Sequence, residues 1–236
     1  MANYALIIAG GSGCRMNQDI PKQFIKIDGI PVIIYTMKAF ERNPEINGIA
    51  VVCLLGWEDE LLLFAEKCNI SKLKWIFPGG PTGMASIQNG IRGLKQNGCL
   101  DSDIVLIHDA VRPLVSQKII ATNIAICKSH RYAMTGIKCR EAVMKTYDGV
   151  TTTKSIPRDS LIRVQTPQSY YLGDMISVYE EAAALGIKDS VTPCSLIADM
   201  GKERVIHIVP GEDINVKITT IEDLDLVKAL MRIVDN

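Results

Sequence analysis

The chain has 236 residues, 47% of them hydrophobic, so it is long enough to bury one sizeable core and short for two large domains. Its formal net charge at pH 7 is +0, so the chain has no overall positive charge that would attract nucleic acid or an anionic membrane. No apolar run approaches the ~20 residues of a membrane span. The seven cysteines lack a C-x-x-C pair, which argues against a disulfide framework and a zinc site and indicates a reducing, cytoplasmic location.

Short β-rich apolar runs alternate with longer amphipathic runs, which is typical of βαβ units and a parallel sheet. Strands are predicted at Tyr4–Ala9, Ile49–Leu55, Leu73–Phe77, Ile104–His108, Tyr132–Ile137, Val205–Val209 and Val216–Ile218. Helices are predicted at Val32–Arg42, Glu58–Lys67, Met84–Lys95, Gln117–Ser129, Gly173–Leu185, Thr192–Met200 and Glu222–Val234. The last of these helices has Thr220 and Asp223 at capping-box spacing. We therefore expect one α/β domain over residues 1–236, a Rossmann-like, mostly parallel sheet flanked by helices.

A glycine-rich segment follows the first strand and is itself followed by two cations. In order, these residues are Ala9-Gly10-Gly11-Ser12-Gly13, Arg15 and Lys22. Glycines let backbone N–H groups approach a ligand closely, and the cations would neutralise a phosphate. Met16 replaces the third glycine of the dinucleotide fingerprint, and no Gly-Lys-Ser/Thr follows as in a P-loop. The segment therefore favours phosphate binding over a plain turn, without matching either of these motifs.

Two further segments follow predicted strands, the Gly79-Gly80 turn and the His108-Asp109 step, and they could converge with the glycine segment on one crevice. Asp109 could hold a metal ion or a sugar hydroxyl, or it could merely cap a helix and pair with Arg112. Lys217 interrupts an apolar β-branched run, either as a phosphate contact or as a solvated surface lysine. The spacing alone leaves these alternatives open.

The segment at about 138–162 departs from the alternation. It is polar and turn-rich, and Asp148-Gly149 lies between Met144–Tyr147 and Val150–Thr153, which predicts a hairpin leaving the main body. A two-stranded ribbon is marginal alone in water. We therefore expect this β-arm to pack against a second subunit, or else to cover its own domain.

Six motifs in register resemble the cytidylyltransferases that act on polyol phosphates. They are Ala9-Gly10-Gly11-Ser12-Gly13-Cys14-Arg15-Met16, Pro21-Lys22-Gln23-Phe24, Gly79-Gly80, His108-Asp109-Ala110-Val111-Arg112-Pro113, Gln165-Thr166-Pro167-Gln168 and Val216-Lys217-Ile218-Thr219. The resemblance implies a single nucleotidyltransferase domain in which a polyol phosphate oxygen attacks the α-phosphorus of CTP. The products would be a CDP-polyol and pyrophosphate. Of the acceptors, 2-C-methyl-D-erythritol 4-phosphate is favoured because its pathway is common, followed by ribitol 5-phosphate or another alditol phosphate.

The resemblance also implies roles for individual residues. Arg15 and Lys22 would stabilise the triphosphate and the developing charge, and Lys217 would assist at the α-phosphate. The nucleotide would be bound by Ala9, Gly10, Gly11, Gly13, Gly80, Ser86 and Ala110. The acceptor would be bound by Asp109, Arg112, Arg158, Thr166 and Thr192. Magnesium would bridge the phosphates, with Asp109 as a candidate ligand.

The family is a homodimer, so the resemblance implies that the β-arm carries Arg158 to the other subunit's acceptor site. Two departures concern the substrates: Glu141 and Ala142 stand where the family has an Asp-Thr pair, and Pro81-Thr82-Gly83-Met84 follows Gly80. The alternative from another class is a catalytically silent nucleotide-binding or regulatory module on the same fold. A dinucleotide-dependent oxidoreductase is less favoured because the third glycine is missing.

Overall fold

A seven-stranded sheet forms the centre of the computed structural model, which describes residues 1–11, 20–201 and 204–234. The strands are β1 (Asn3–Ala9), β2 (Lys26–Ile27), β3 (Ile30–Pro31), β4 (Gly48–Cys53), β5 (Leu73–Pro78), β6 (Ile104–Asp109), β7 (Tyr132–Lys138), β8 (Val143–Lys145), β9 (Lys154–Ile156), β10 (Ile162–Tyr171) and β11 (His207–Pro210). The helices are α1 (Val32–Glu41), α2 (Glu58–Lys67), α3 (Gly83–Gln96), α4 (Gln117–His130), α5 (Leu172–Ala184), α6 (Pro193–Asp199) and α7 (Ile221–Val234). Short 3-10 turns occupy Lys22–Phe24 and Arg158–Ser160.

The strand order in the main sheet is β11-β7-β10-β6-β1-β4-β5. The pairs among β6, β1, β4 and β5 are parallel, as is the β7–β11 pair, whereas β10 runs antiparallel to both β6 and β7. The carboxyl ends of the six other strands therefore meet at one edge of the sheet. The predicted mostly parallel α/β architecture is confirmed.

Each face of the sheet is covered by its own apolar layer. Ala5 and Ile7 of β1 join the core cluster that includes buried residues of α1, α2 and α4, while Leu6 joins the cluster with α3, α5 and α6. This division follows from the alternation of side chains along a strand. The arrangement fixes the sheet between two helical layers, so that its carboxyl edge is left for the loops.

A smaller cluster ties the C-terminal part of the chain to this edge. Leu224 and Val227 of α7 pack with Val32, Val111 and Ile218, all of them buried. The capping box is confirmed, because the Thr220 N–H donates to Asp223 Oδ2 at 2.9 Å and the Asp223 N–H donates to Thr220 Oγ1 at 3.4 Å. Residues 215–218 are thereby held beside the loop that follows β6.

The strand β10 is the main element that the sequence did not predict. It contains polar residues and Pro167, which cannot donate to a strand ladder, so its pattern does not indicate an interior strand. In the structure its register with β7 shifts between Val164 and Gln168, which accommodates the interruption. This strand brings Thr166 opposite the end of β6.

The prediction of a strand at Val216–Ile218 is wrong, because the structure has no strand there. Its β-branched pattern is real, but the Val216 N–H donates to the Ile214 carbonyl and the Ile218 N–H to the Val111 carbonyl, so no ladder forms. The predicted hairpin is present, and its strands β8 and β9 pair antiparallel. They do not begin directly beside Asp148-Gly149, because residues 146–147 and 150–153 separate the two strands from that turn. The other predicted strands and helices begin and end within two residues of the observed ones. Within the described ranges, no helix is long and apolar enough to cross a membrane.

Candidate active site

A cavity of about 880 Å³ opens at the carboxyl edge of the sheet, where the loops after β1, β5 and β6 meet. Its volume lies within the range of small-molecule sites. The predicted site residues that line it are Ala9, Gly10, Gly11, Lys22, Gly80, Ser86, Asp109, Ala110, Arg112, Thr166, Thr192 and Lys217. The expected convergence of three strand-end segments on one crevice is therefore confirmed.

Two glycine turns form one wall of the cavity and touch each other through their backbones. A Cβ atom built on Gly10 would lie 2.9 Å from the Cα of Gly79 and 3.0 Å from Ser86 Oγ. The Gly80 N–H donates to Ser86 Oγ at 2.9 Å, and the Thr82 side chain caps α3. Glycine at position 10 is required here because any side chain would separate the two turns.

A cluster of charged side chains also lines the cavity. Arg112 Nε donates to Asp109 Oδ2 at 2.9 Å, and Lys217 Nζ donates to Asp109 Oδ1 at 3.0 Å. The Arg112 guanidinium also donates to the Asn215 carbonyl at 2.7 Å. Burial by itself would raise the pKa of Asp109, but the charges and hydrogen bonds of Lys217 and Arg112 outweigh it and hold the pKa well below its usual range. Asp109 is therefore ionised, and both of its carboxylate oxygens are engaged by cations.

The fit of this cluster to a metal ion is poor. Among residues 1–11, 20–201 and 204–234, no group of three His, Cys, Asp or Glu side chains could hold a metal, and Asp109 already accepts from two cations. With Lys22 also on the cavity lining, the local charge is positive. The arrangement is suited to an anion with several phosphate groups rather than to a cation held by the protein alone.

A buried histidine organises the backbone beneath the charged cluster. Thr166 Oγ1 accepts from the Asp109 N–H at 3.1 Å and lies 3.0 Å from His108 Nδ1, while His108 Nε2 lies 3.2 Å from the Arg112 carbonyl. These contacts assign the proton to Nε2, with Nδ1 accepting from the threonine hydroxyl. Burial lowers the pKa of His108 to about 4, so the ring is neutral. His108 thus acts as a spacer between β6 and β10.

Further polar groups line the cavity near β10 and α6. Thr192 Oγ1 accepts from the Ser195 N–H and lies 2.9 Å from Ser195 Oγ. The buried Gln168 side chain accepts from the Cys194 N–H at 3.1 Å, which ties the start of α6 to β10. This end of the cavity therefore presents hydroxyl and amide groups, which suit a ligand rich in hydroxyls.

The structure does not bring every predicted residue into this cavity. Arg158 lies in the β-arm with 61% of its side chain exposed, and its Nη1 donates to the Arg140 carbonyl at 3.3 Å. Gly13 and Arg15 lie outside the described residues, so their predicted roles stay predictions. Sequence reasoning assigned no role to six polar residues of the lining, Gln23, Thr82, His108, Gln165, Gln168 and Ser195. Four of them, Gln23, His108, Gln165 and Gln168, lie inside the motifs that carried the resemblance, and that position was the available signal.

Comparisons with known proteins agree with this geometry. The family model described as IspD, 2-C-methyl-D-erythritol 4-phosphate cytidylyltransferase, matches residues 4–233. The chain is 37% identical over 230 residues to the ribitol-5-phosphate cytidylyltransferase of Lacticaseibacillus paracasei, covering 97% of each protein. It is 32% identical over 232 residues to the 2-C-methyl-D-erythritol 4-phosphate cytidylyltransferase of Clostridium novyi, covering 97% of this chain and 96% of that protein. The crystal structure of 4-diphosphocytidyl-2C-methyl-D-erythritol synthase from Anaerococcus prevotii superposes with a TM-score of 0.80 at 27% identity, covering 98% of this chain and 96% of that one.

The neutral, buried state of His108 makes stability depend on pH. The folded pKa is about 4 and the ordinary value is 6.5, so as the pH falls through this interval the unfolded chain takes up a proton that the folded chain does not. The stabilisation of the folded state by the neutral ring is complete above pH 6.5 and is lost toward pH 4. The free energy of unfolding falls by on the order of 3 kcal/mol over this interval. We expect the free energy of unfolding, measured with urea at several pH values, to fall across this interval more steeply in the wild type than in His108→Gln. Parallel pH profiles for the two proteins would contradict this assignment.

Proposed function

The chain belongs to the IspD family of cytidylyltransferases, and on that premise we propose that its acceptor is ribitol 5-phosphate and its product CDP-ribitol. As a member of this family it joins CMP from CTP to a polyol phosphate. One phosphate oxygen of the acceptor forms a bond to the α-phosphorus of CTP, and the bond from that phosphorus to the β-phosphate oxygen breaks, releasing pyrophosphate. A phosphate oxygen is already anionic, so the protein supplies positioning and charge rather than a nucleophile.

Identities of 35% to 39% to ribitol-5-phosphate enzymes, against 30% to 34% to 2-C-methyl-D-erythritol 4-phosphate enzymes, support the acceptor proposal. The hydroxyl-rich end of the cavity, with Thr192 and Ser195, is compatible with a pentitol. The sequence had favoured methylerythritol phosphate, but that preference came from the commonness of its pathway and not from particular residues. The proposal therefore replaces that preference.

The proposed reaction is supported chiefly by one observation: cationic side chains and two glycine turns line the same cavity. We assign Lys22 and Arg15 to the triphosphate and the leaving pyrophosphate, and Lys217 to the α-phosphate. Asp109 would hold Lys217 in place and accept from hydroxyls of the polyol, with Arg112 fixing its carboxylate. Charge stabilisation that is strongest in the transition state is what accelerates such a transfer.

We propose that magnesium takes part in the reaction as an ion bound to the phosphates of CTP. Mg²⁺ keeps several waters and is often held mainly by substrate phosphates, which it neutralises. The described residues form no cluster able to hold it, and the pairing of Asp109 with two cations does not support the expected role of that residue as a metal ligand. We therefore propose that the ion enters with the nucleotide. The cytoplasmic location expected from cysteine usage stays a prediction.

The β-arm supports the proposal of a homodimer. At its outer end, Tyr147 and Val150 are each 88% exposed and Met144 is 51% exposed, which is unusual for apolar side chains of a hairpin with no partner. Arg158 lies at the arm's return to the sheet and does not line the cavity of its own chain. We propose that Arg158 binds the acceptor phosphate in the partner subunit's cavity.

A panel of acceptors tests the function. We expect CTP-dependent pyrophosphate release with ribitol 5-phosphate at a kcat/KM at least about tenfold above that for 2-C-methyl-D-erythritol 4-phosphate, arabinitol 5-phosphate or glycerol 3-phosphate, because each unmatched hydroxyl leaves buried polar groups unpaired. A higher kcat/KM with 2-C-methyl-D-erythritol 4-phosphate would refute the proposal that ribitol 5-phosphate is the acceptor. An absence of release with every acceptor would favour a silent nucleotide-binding module instead.

Replacement of Lys22 tests the charge stabilisation. Lys22→Ala is expected to lower kcat by about 100-fold or more with little change in thermal stability, because the ammonium acts chiefly on the transition state. Lys26→Ala is the matched control, since Lys26 lies outside the cavity lining and pairs with Glu60 at 3.3 Å. An unaltered kcat in Lys22→Ala would remove this residue from the mechanism.

Mixed dimers test the proposed role of Arg158. Arg158→Ala should raise the acceptor KM by about tenfold and leave the CTP KM unchanged, as expected for loss of a charged phosphate contact. Lys154→Ala on the same arm is the control. Mixing Arg158→Ala with Lys22→Ala subunits should restore about a quarter of the wild-type sites, since half of the randomly formed dimers then hold one intact site. If mixing restores nothing, Arg158 does not act across the interface.

A further inference from the structure

Gln23 links the first glycine turn to the segment that carries Lys22. Its side-chain amide Nε2 donates to the Ala9 carbonyl at 2.8 Å and to the Gly11 carbonyl at 2.9 Å. The residue is 2% exposed and contributes to the cavity lining. We propose that Gln23 is a positioning residue for nucleotidyl transfer, which fixes the turn and Lys22 relative to each other; the inference rests on the role proposed above for Lys22.

The two hydrogen bonds determine the orientation of the turn. An amide nitrogen of glutamine has two N–H donors, and both are used here. In a planar trans peptide the carbonyl and the following N–H point in opposite directions, so holding the Ala9 carbonyl also sets the direction of the Gly10 N–H. Gln23 thus governs a backbone donor of the turn as well as two acceptors.

The other side of Gln23 is firmly braced. Phe24 is 2% exposed and stacks on Trp57, with ring centroids 4.6 Å apart and an interplanar angle of 26°. The Phe24 N–H donates to the Pro21 carbonyl at 2.8 Å, which closes the short turn that contains Lys22. The segment is therefore anchored against the residues that follow β4.

The described contacts of the glycine turn are fewer. Gly10 is packed against Gly79, but a Cβ atom on Gly11 would meet none of the described residues within 4 Å. Without Gln23, these two bonds to the braced segment would be lost, and Gly11 could move relative to Lys22. Because misplacement by about 1 Å can cost about 100-fold in rate, such a loss should affect catalysis more than folding.

A purely structural role for Gln23 is the alternative, and Gln117 offers a matched comparison. Gln117 Nε2 donates to the Ala39 carbonyl at 2.7 Å, so it makes the same kind of side-chain-to-backbone bond. Gln117 lies at the start of α4 and does not line the cavity. Methionine at either position keeps the length of the side chain and removes the donors.

The experiment measures pyrophosphate release and thermal unfolding for Gln23→Met, Gln23→Asn and Gln117→Met, with the acceptor that the wild type uses best. For both Gln23 variants we expect kcat to fall by about 10- to 100-fold and the CTP KM to rise several-fold, with the acceptor KM within about twofold of wild type. Gln117→Met should keep all three constants within about twofold while losing a similar amount of thermal stability.

The inference is overturned if kcat in the Gln23 variants stays within about twofold of wild type, or if Gln117→Met loses as much activity. Failure of both Gln23 variants to fold would also overturn it, because Gln23 would then serve stability. Lys22→Ala separates this inference from the proposed function. If that variant loses kcat while Gln23→Met does not, the role of Lys22 stands and only the positioning role fails.

Discussion

The ionised carboxylate of Asp109, held between Arg112 and Lys217, is the interaction on which the site depends. It joins the end of β6 to a segment that lies 108 residues further along the chain. Arg112 is 8% exposed and also donates to the Asn215 carbonyl, so its charge is compensated from two directions. Removal of the Asp109 carboxylate would leave Arg112 and Lys217 as neighbouring like charges without their counterion, which is strongly destabilising.

The antiparallel strand β10 makes this cluster possible. It lies between β6 and β7, with Gln168 opposite Ile107, so the chain reaches Thr166 beside the last residues of β6. The Thr166 hydroxyl then meets the Asp109 N–H and the His108 ring. A neutral histidine suits this position, because a charged ring would add a third cation to a cluster that has a single carboxylate. The sheet order thus decides both the geometry and the protonation of the site.

A chain with a formal charge of +0 can still bind a triphosphate, because its cations are concentrated locally. Lys22, Arg112 and Lys217 line one cavity with a single carboxylate between two of them. Two glycine turns that touch backbone to backbone also line this cavity, and glycine at position 10 is needed for their close approach. Local concentration of positive charge therefore allows anion recognition in a chain whose overall formal charge is zero.

The sequence by itself determined the elements whose signals are local. The apolar run of β1, its glycine turn, the helix spacing and the capping box at Thr220 all follow from neighbouring residues, and the motif resemblance gave the family and most of the cavity lining. Only the tertiary structure decided that residues 216–218 form no strand, that β10 enters the sheet despite Pro167, and that Lys217 meets Asp109. The reason is that strand patterns record burial and backbone preference, whereas pairing between distant segments depends on the order of strands in the sheet.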